Sequence, residues 1–355
     1  MRIGIHALFL GIAMFLGIAL ASCSDSTSTT RALKVIQVRP LGAIGAVKSI
    51  GARDGGPSCI AGGKIVWTFG DTLFSPKSVD NTNLRSNTAA LADIATPTNV
   101  SEPTDANGAP LPFVPFSAEE QAYNDLKNAG DDRYALWVST LVPTLEGGCD
   151  MFVTRLIIGP GFLNYTGKGT VLATIRGAST TAERVGNILF EEKDPPVLAA
   201  MIDGGFAYLY FGGPEKGRGI ARVPREKLRD RGSYTFFDGS SWQPEISKMK
   251  LDTSLFYFTS SLSVSYNAYV GGYLAVASKG FSNEIVAFTS AKPEGPWSSG
   301  TTIYTSPPPL EGDNNYAGME HPHLSKNGGK TLVLSYSRAT GYFKGGVELV
   351  EVDLE

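Results

Sequence analysis

Two acidic residues flank a predicted hairpin near the start of the chain. Two short apolar runs are joined by Gly62 and Gly63, and two glycines between strand-like runs are typical of a β-hairpin. Antiparallel pairing around that turn places Asp54 level with Gly70 and beside Asp71. We therefore expect two carboxylates at the open end of one hairpin, among glycines that leave room for a ligand. An ordinary Asp-Gly turn is the alternative.

Two more acidic residues precede strand-like runs downstream. Asp194 stands before two prolines and an apolar run, and Glu320 begins a similar segment near the C-terminus. If these runs are the innermost strands of one closed assembly, their starts converge, and both residues join Asp54 and Asp71 in one polar pocket. Carboxylates that lie close together cannot all ionise freely, so one pKa rises and leaves a protonated acid near neutral pH. For Asp194, a simple turn role is an equal alternative.

Such a group of carboxylates suits the hydrolysis of a glycosidic bond. One carboxylic acid protonates the leaving oxygen, while another carboxylate activates water or attacks the anomeric carbon. Their separation sets the stereochemistry, at about 5 Å for retention and roughly 6.5–9.5 Å for inversion. Our candidate catalytic residues are therefore Asp54, Asp71, Asp194 and Glu320.

Four basic residues are candidate substrate-binding residues. Arg53 and Arg338 are expected to pair with the central carboxylates, with surface solvation as the alternative. His321 and His323 share one face of a predicted strand, where one can contact a sugar and the other can be structural. Together with Glu320 they could ligate a metal, but no third ligand is evident from the spacing. We predict no metal and no cofactor, and leave a structural calcium or sodium ion in the channel open.

Turn signals break the sequence into repeated groups of strand-like runs. The chain contains 41 glycines and 21 prolines, and five such groups follow one another from residue 33 to the C-terminus. This pattern favours an all-β fold, a five-bladed β-propeller with four-stranded blades around a channel. A β-sandwich with a small second domain is the alternative. We expect residues 33–38 to complete the last blade, residues 87–92 to open the second, and a helix over 117–128 capped by Ser117.

The N-terminus has the pattern of an export signal. A basic start, an uncharged and largely apolar run over residues 3–21, and small residues follow one another. Residues 20–23, Leu-Ala-Ser-Cys, resemble a bacterial lipobox, which implies that Cys23 carries lipid. An uncleaved anchor is the alternative, because the run approaches the roughly 20 residues that span a bilayer. We predict a signal peptide over 1–22, a lipidated Cys23 with a flexible tether over 23–32, and one propeller domain over 33–355.

Charge and cysteine content limit the classes of binding partner and indicate the cellular compartment. The formal net charge of -3 and the absence of a basic stripe exclude nucleic acid as a partner. Several acyl chains on Cys23 would give firm anchoring. We expect a monomer in the bacterial cell envelope, on its periplasmic face or at the cell surface, with a polysaccharide as partner. Cys59 and Cys149 can pair in an exported compartment, and two buried free thiols are the alternative.

Several motifs together resemble a known family. They are Arg-Asp-Gly-Gly at 53–56, Val-Trp-Thr-Phe-Gly-Asp-Thr at 66–72, Ile-Ala-Arg-Val-Pro at 220–224, Gly-Pro-Trp at 295–297 and His-Pro-His-Leu-Ser at 321–325. From about residue 46 onward the chain resembles a bacterial domain-of-unknown-function family of five-bladed propellers, some of which are endo-D-arabinanases. The resemblance implies an arabinan-cleaving glycosidase in which Asp54 and Asp71 are catalytic.

Two functions follow from this reading. The first is a glycoside hydrolase that acts on a cell-envelope or extracellular polysaccharide, such as an arabinan. The second is a non-catalytic propeller that binds a glycan or a protein at the cell surface. A hydrolase requires two carboxylates within reach of one bond, whereas a binding protein tolerates the loss of either with a graded loss of affinity.

Overall fold

The computed structural model describes residues 30–355 except 128–129, 162–163, 214–216, 257–258, 281, 313 and 342–343. The predicted signal peptide, Cys23 and most of the predicted tether therefore lie outside the described residues. Within the described ranges, no helix is both long and apolar enough to cross a membrane.

Five antiparallel sheets form the blades of a propeller, which confirms the predicted fold class. The chain begins with β1 (Val35–Ala43), which belongs to the last blade. Blade 1 contains β2 (Ile50–Ala61), β3 (Lys64–Phe74), β4 (Leu84–Arg85), β5 (Thr88–Asp93) and β6 (Thr96–Ser101). Helix α1 (Ala118–Asp125) lies in the connection to blade 2. Blade 2 contains β7 (Arg133–Pro143), β8 (Cys149–Ile158), β9 (Tyr165–Ile175) and β10 (Glu183–Phe190).

The remaining blades follow in chain order. Blade 3 contains β11 (Val197–Asp203), β12 (Phe206–Gly213), β13 (Gly217–Pro224), β14 (Thr235–Phe237) and β15 (Trp242–Gln243). Blade 4 contains β16 (Thr259–Asn267), β17 (Gly272–Lys279), β18 (Glu284–Ser290) and β19 (Thr301–Thr305). Blade 5 contains β20 (Tyr316–Glu320), β21 (Thr331–Gly341), β22 (Lys344–Leu354) and β1. Short 3-10 turns span Arg225–Lys227, Arg231–Ser233, Ile246–Lys248, Pro322–Leu324 and Asn327–Gly329.

The first strand of each blade lines the centre of the propeller. These inner strands, β2, β7, β11, β16 and β20, contact one another around the ring. β2 runs in the same direction as β20, because Asp54 contacts Tyr316 and the later Ser58 contacts His321, just after β20. β16 does so too, because Ser261 contacts Gly318 and Ser263 contacts Glu320. The end of the channel where the inner strands begin is called the upper end below, and the opposite end the lower end.

Hydrophobic cores fill the spaces between consecutive blades. The second strand of a blade is buried on both faces, and β12 and β17 accordingly read as nearly continuous apolar runs. Five clusters of buried residues each combine side chains of two neighbouring blades. One of them places Leu349 of blade 5 with Trp67 of blade 1, so the ring is closed by apolar packing.

The N-terminal strand completes blade 5, as predicted. β1 pairs antiparallel with β22, so the sheet order is β1-β22-β21-β20. Just before β1, the Arg31 amide donates to the Val270 carbonyl at 2.9 Å, in the turn between β16 and β17. That turn follows the end of an inner strand, so the described chain begins at the lower end of the channel.

The second blade begins later than predicted. We expected residues 87–92 to open it, but β5 (Thr88–Asp93) is the third strand of blade 1 and pairs with β3 from Ile65 to Phe69. The segment between β3 and β5 contains β4, which pairs with the end of β3, so the chain is already returning along β3 when β5 begins. Blade 2 begins at Arg133, after the long connection.

The predicted helix lies in that long connection. The Ser117 hydroxyl accepts a hydrogen bond from the Glu120 amide at 3.2 Å, and the Glu120 carboxylate accepts one from the Ser117 amide at 2.9 Å. This capping box satisfies two amides that would otherwise lack partners. Glu120 is buried and forms salt bridges with Arg155 and Arg184 of blade 2, which anchors the connection to that blade.

A disulfide joins the first two blades. Cys59 in β2 is bonded to Cys149 in β8, 90 residues later, and both residues are buried. Of the two alternatives left open by the sequence, the structure has the bonded pair. A cross-link that closes a long loop stabilises the folded state by restricting the unfolded chain.

Reduction of this disulfide is expected to destabilise the protein by about 2–5 kcal/mol. Thermal unfolding of the wild type should therefore shift to lower temperature in reductant. The Cys59→Ala/Cys149→Ala double variant should unfold at that lower temperature with or without reductant. A wild-type unfolding temperature that does not respond to reductant would contradict this assignment.

Candidate functional site

Asp54 and Asp71 lie side by side on the first two strands of blade 1. The strand register shifts between Arg53 and Gly55, so Gly70 and Asp71 together stand opposite Asp54. Such a bulge re-aims side chains. A Cβ atom on Gly70 would lie 3.1 Å from the Asp54 Cβ, closer than an ordinary contact. The predicted pairing of Asp54 with Gly70 is therefore present, and glycine is what permits it.

Asp54 receives a hydrogen bond from another blade. Tyr316, the first residue of β20, donates its hydroxyl proton to the Asp54 carboxylate. Burial raises the pKa of Asp54 to about 6, the Tyr316 hydrogen bond opposes this rise, and the negative charge of Asp71 adds to it. A substantial fraction of Asp54 therefore remains protonated in mildly acidic solution.

Asp71 is held by two residues of the neighbouring inner strand. The Trp137 indole nitrogen donates to Asp71 Oδ1 at 3.1 Å, and Arg133 Nη2 lies 3.6 Å from Asp71 Oδ2. Arg133 and Trp137 are four residues apart on β7 and so lie on the same face of that strand. Burial raises the pKa of Asp71, while the Arg133 charge and the Trp137 hydrogen bond favour its ionised form.

The two carboxyl groups lie at the upper end of the channel, where solvent has access. The side chains of Asp71 and Arg133 are 29% and 28% exposed, and Tyr316 is 44% exposed. Tyr165, which is also exposed, packs edge-on against Trp137 with ring centroids 5.6 Å apart. The site therefore combines two acids, one cation and exposed aromatic rings.

Blade 5 also fixes the backbone of the site. The Gly55 amide donates to the Ser337 hydroxyl at 2.7 Å, directly after Asp54. Ser337 pairs with Tyr316 in the sheet, so one strand pair of blade 5 holds both the Asp54 side chain and the backbone that follows it. The position of Asp54 consequently depends on the contact between the last blade and the first.

Glu320 is not brought together with the two aspartates. It lies four residues after Tyr316, roughly 13 Å further along a strand. Its carboxylate accepts hydrogen bonds from Ser265 and Ser325, each at 3.1 Å, and burial raises its pKa to about 7. Glu320 therefore belongs to a buried polar group deeper in the channel.

His321 and His323 join the same deeper group instead of the upper end. His321 Nδ1 lies 2.6 Å from the Ser58 hydroxyl and its Nε2 lies 2.8 Å from the Ser335 hydroxyl. His323 Nε2 lies 3.1 Å from the same Ser58 hydroxyl. Burial holds the pKa of His321 well below its usual range and lowers that of His323 to about 4, so both imidazoles are neutral.

The two predicted arginines have other partners. Arg53 is buried, forms a salt bridge with Glu102 at 3.1 Å and stacks on the Phe69 ring, 3.5 Å from its centroid. Arg338 donates to the Pro308 carbonyl at 3.1 Å, in the connection that leads into blade 5. The expectation that they pair with the central carboxylates is corrected by these contacts.

Asp194 lies in a turn before β11. Its carboxylate accepts a hydrogen bond from the Glu191 amide at 2.9 Å and lies 3.7 Å from Arg231. These contacts fit the alternative reading of Asp194 as a turn residue. The structure does not bring Asp194 together with Asp54 and Asp71, because its partners belong to blade 3 and to the connection before it.

The sequence patterns did not single out Tyr316 or Arg133, and they assigned Trp137 no place in the site. These three residues lie at or near the start of inner strands in blades 2 and 5, whereas Asp54 and Asp71 lie in blade 1. Local sequence motifs carry no information on such contacts between blades. The only signal was the spacing of Arg133 and Trp137 on one strand face. Among the described residues, no cluster of three or more His, Cys, Asp or Glu side chains is arranged to hold a metal ion.

The hydrogen bond from Tyr316 gives a direct test of the Asp54 environment. In the Tyr316→Phe variant the carboxylate loses a stabilising donor, so the pKa of Asp54 should rise above its wild-type value of about 6. Carbon-13 NMR titration of the aspartate carboxyl groups measures this shift. An Asp54 pKa that stays the same or falls in the variant would contradict the described hydrogen bond.

Sequence comparison finds a family model that matches part of the propeller. Residues 169–344 match a family model described as "Domain of unknown function (DUF4185)". The match runs from blade 2 into the last strand of blade 5, so Asp54 and Asp71 lie outside it. No protein of curated function matches the chain by sequence.

Solved structures with the same fold include glycosidases. A candidate hydrolase from Bacteroides ovatus ATCC 8483 is 16% identical, with a TM-score of 0.59 over 85% of this chain and 87% of its own. The GH43_1 enzyme from Xanthomonas citri in complex with xylotriose is 11% identical, with a TM-score of 0.53 over 87% and 89% of the two chains. The RS223 β-xylosidase is 13% identical, with a TM-score of 0.52 over 89% and 98%.

At these identities the structural likeness establishes the fold. The chain is a five-bladed β-propeller of the architecture that these glycoside hydrolases share, and its residues 169–344 carry the sequence signature of the DUF4185 family.

Proposed function

We propose that this protein is a glycoside hydrolase that cleaves a polysaccharide at the upper end of its channel. The observation that carries the proposal is the pair Asp54 and Asp71, two carboxyl groups side by side in unequal surroundings. Unequal surroundings are what separate an acid from a base in glycosidase sites. The likeness to glycosidase propellers supports the proposal at the level of the fold.

Asp54 is the general acid in this proposal. Its raised pKa of about 6 keeps a proton available for the leaving oxygen. Asp71 acts as the carboxylate that activates water or attacks the sugar, because Arg133 and Trp137 oppose the rise in its pKa that burial causes. Tyr316 positions Asp54, and the exposed rings beside Asp71 provide apolar surface for a sugar face.

An arabinan is the proposed substrate class, and the cell envelope the proposed location. The substrate proposal rests on the motifs of the chain, which resemble a family with arabinan-cleaving members. The location rests on the lipobox-like residues that end at Cys23. We propose that the propeller is held at a membrane surface through this lipidated residue.

Removal of either carboxylate should abolish most of the activity. We expect Asp54→Asn and Asp71→Asn each to lower sugar release from D-arabinan by roughly 10²- to 10⁴-fold, the usual contribution of acid-base catalysis. A panel of D-arabinan, L-arabinan, arabinogalactan and xylan, assayed by reducing-end release, measures the effect and identifies the substrate.

Asp194→Asn is the matched control. It makes the same chemical change at a carboxylate whose partners are Glu191 and Arg231, so activity should remain within about twofold of wild type. All variants should keep the wild-type unfolding temperature. If the wild type and Asp54→Asn bind a glycan equally and neither releases sugar, the protein is a glycan-binding protein and the hydrolase proposal is wrong.

The pH dependence should reflect both carboxyl groups. Activity should fall as the pH rises through about 6, because Asp54 then loses its proton, and should fall in acid as Asp71 becomes protonated. In Tyr316→Phe the upper limb should move to higher pH. Measurement of kcat/KM against pH tests this, and an upper limb that moves to lower pH in Tyr316→Phe would argue against Asp54 as the acid.

A further inference from the structure

The inner strand β7 carries both partners of Asp71 and has a neighbouring strand on one side only. It is the edge strand of blade 2, with β8 beside it, so the backbone groups along its other edge must find partners outside the sheet. Arg133 begins this strand and Trp137 follows four residues later. The contacts that hold the free edge therefore determine where these two side chains lie relative to Asp71.

Asn124 in α1 holds the free edge of β7 directly beside Arg133. Its side-chain nitrogen donates to the Tyr134 carbonyl at 3.2 Å, and its side-chain oxygen accepts from the Tyr134 amide at 2.7 Å. One side chain thus supplies both hydrogen bonds that a residue of a neighbouring antiparallel strand would supply. The rings of Tyr123 and Tyr134 pack edge-on with centroids 5.0 Å apart, which adds a second contact between α1 and the strand.

Helix α1 is anchored independently of this contact. Its Glu120 is buried and forms salt bridges with Arg155 and Arg184, which lie on other strands of blade 2. Asn124 follows Glu120 by four residues, about one helical turn, and so lies on the same side of the helix. The side chain of Asn124 is therefore presented to β7 by a helix that is already fixed to the blade.

Two residues of blade 1 hold the same edge beside Trp137. The Leu136 amide donates to the Ser86 hydroxyl at 3.1 Å, and the Asn87 side-chain nitrogen donates to the Leu136 carbonyl at 3.1 Å. Ser86 and Asn87 directly follow β4, which pairs with β3 immediately after Asp71. The free edge of β7 is thus held at two points, of which the Asn124 contact is the one next to Arg133.

We propose that Asn124 is a positioning residue of the candidate site and acts on Asp71 through Arg133. By fixing the backbone at Tyr134, it keeps the Arg133 guanidinium 3.6 Å from the Asp71 carboxylate. The catalytic meaning of this inference rests on the proposed function, in which Asp71 works in its ionised form. The long connection between blades 1 and 2 is then part of the catalytic assembly.

The Asn124→Ala variant removes both hydrogen bonds to Tyr134 and tests the proposal without any need for activity. Arg133 is then held less closely, so the pKa of Asp71 should rise above its wild-type value, because Arg133 opposes the rise that burial causes. Carbon-13 NMR titration of the aspartate carboxyl groups measures this shift. In an Arg133→Met background the same substitution should leave the pKa of Asp71 unchanged, because the residue through which Asn124 acts is gone.

The pH profile of kcat/KM measures the consequence for catalysis. In Asn124→Ala the acid limb should move to higher pH, because Asp71 is then protonated over a wider range, and the value at the optimum should fall by up to about 10²-fold. The upper limb, which reflects Asp54, should stay in place. A general loss of structure would lower activity at every pH and move neither limb. If no glycan is cleaved, the proposed function fails, and the NMR titration still decides whether Asn124 positions Arg133.

Gln121→Ala is the matched control. It removes a side-chain amide from the same helix, but this amide donates to Asp125 within α1 at 2.7 Å, so the pKa of Asp71 should equal that of the wild type. An unchanged Asp71 pKa in folded Asn124→Ala, or an equal rise in Gln121→Ala, would overturn the proposal. If Asn124→Ala fails to fold, Asn124→Leu keeps the size of the side chain without its hydrogen bonds, and the same titration of that variant decides.

Discussion

The structure depends on a constraint that each blade imposes on its neighbours. The second strand of a blade is apolar on both faces, so it can be buried only when another blade covers each side. Five blades satisfy this requirement in a closed ring, and the last interface, between blades 5 and 1, must form for those two blades to be covered on both sides. The pairing of β1 with β22 adds backbone hydrogen bonds to that closure.

The candidate site lies on the interfaces that this closure creates. Asp54 belongs to blade 1, its hydroxyl donor Tyr316 to blade 5, and the partners of Asp71 to blade 2. No single blade contains the site. Deeper in the channel, Ser58 and His321 make a second contact between blades 1 and 5, and Glu320 is held there by serines. The channel therefore has polar groups at two depths, with charge at the opening and neutral imidazoles below.

Local signals in the sequence predicted most of the fold. The glycine pair after Ala61 located the first hairpin, the capping box located α1, and the apolar run after residue 33 located the strand that completes blade 5. The same signals placed Asp54 and Asp71 together. These signals failed where a contact joins distant parts of the chain, because no short segment determines how neighbouring blades align with each other.

The errors at the site have specific physical causes. The error at Arg53 follows from strand alternation. Neighbouring residues of a strand point to opposite faces, so Arg53 points away from the channel that Asp54 faces. Asp194 precedes an inner strand but lies in a turn, where a carboxylate satisfies backbone amides. Glu320 is the last residue of its strand, not the residue before it, and so lies deeper than expected. In each case the residue type was informative, but the strand face, the turn or the depth along the strand could not be read from the sequence.

The position at which the described chain begins bears on how the candidate site would face relative to a membrane. Arg31 is fastened to the turn between β16 and β17, at the lower end of the channel, while Asp54 and Asp71 lie at the upper end. If Cys23 is lipidated as proposed, the linker joins the propeller on its membrane-proximal side. With that attachment, the opening that holds Asp54 and Asp71 would point away from the lipid surface.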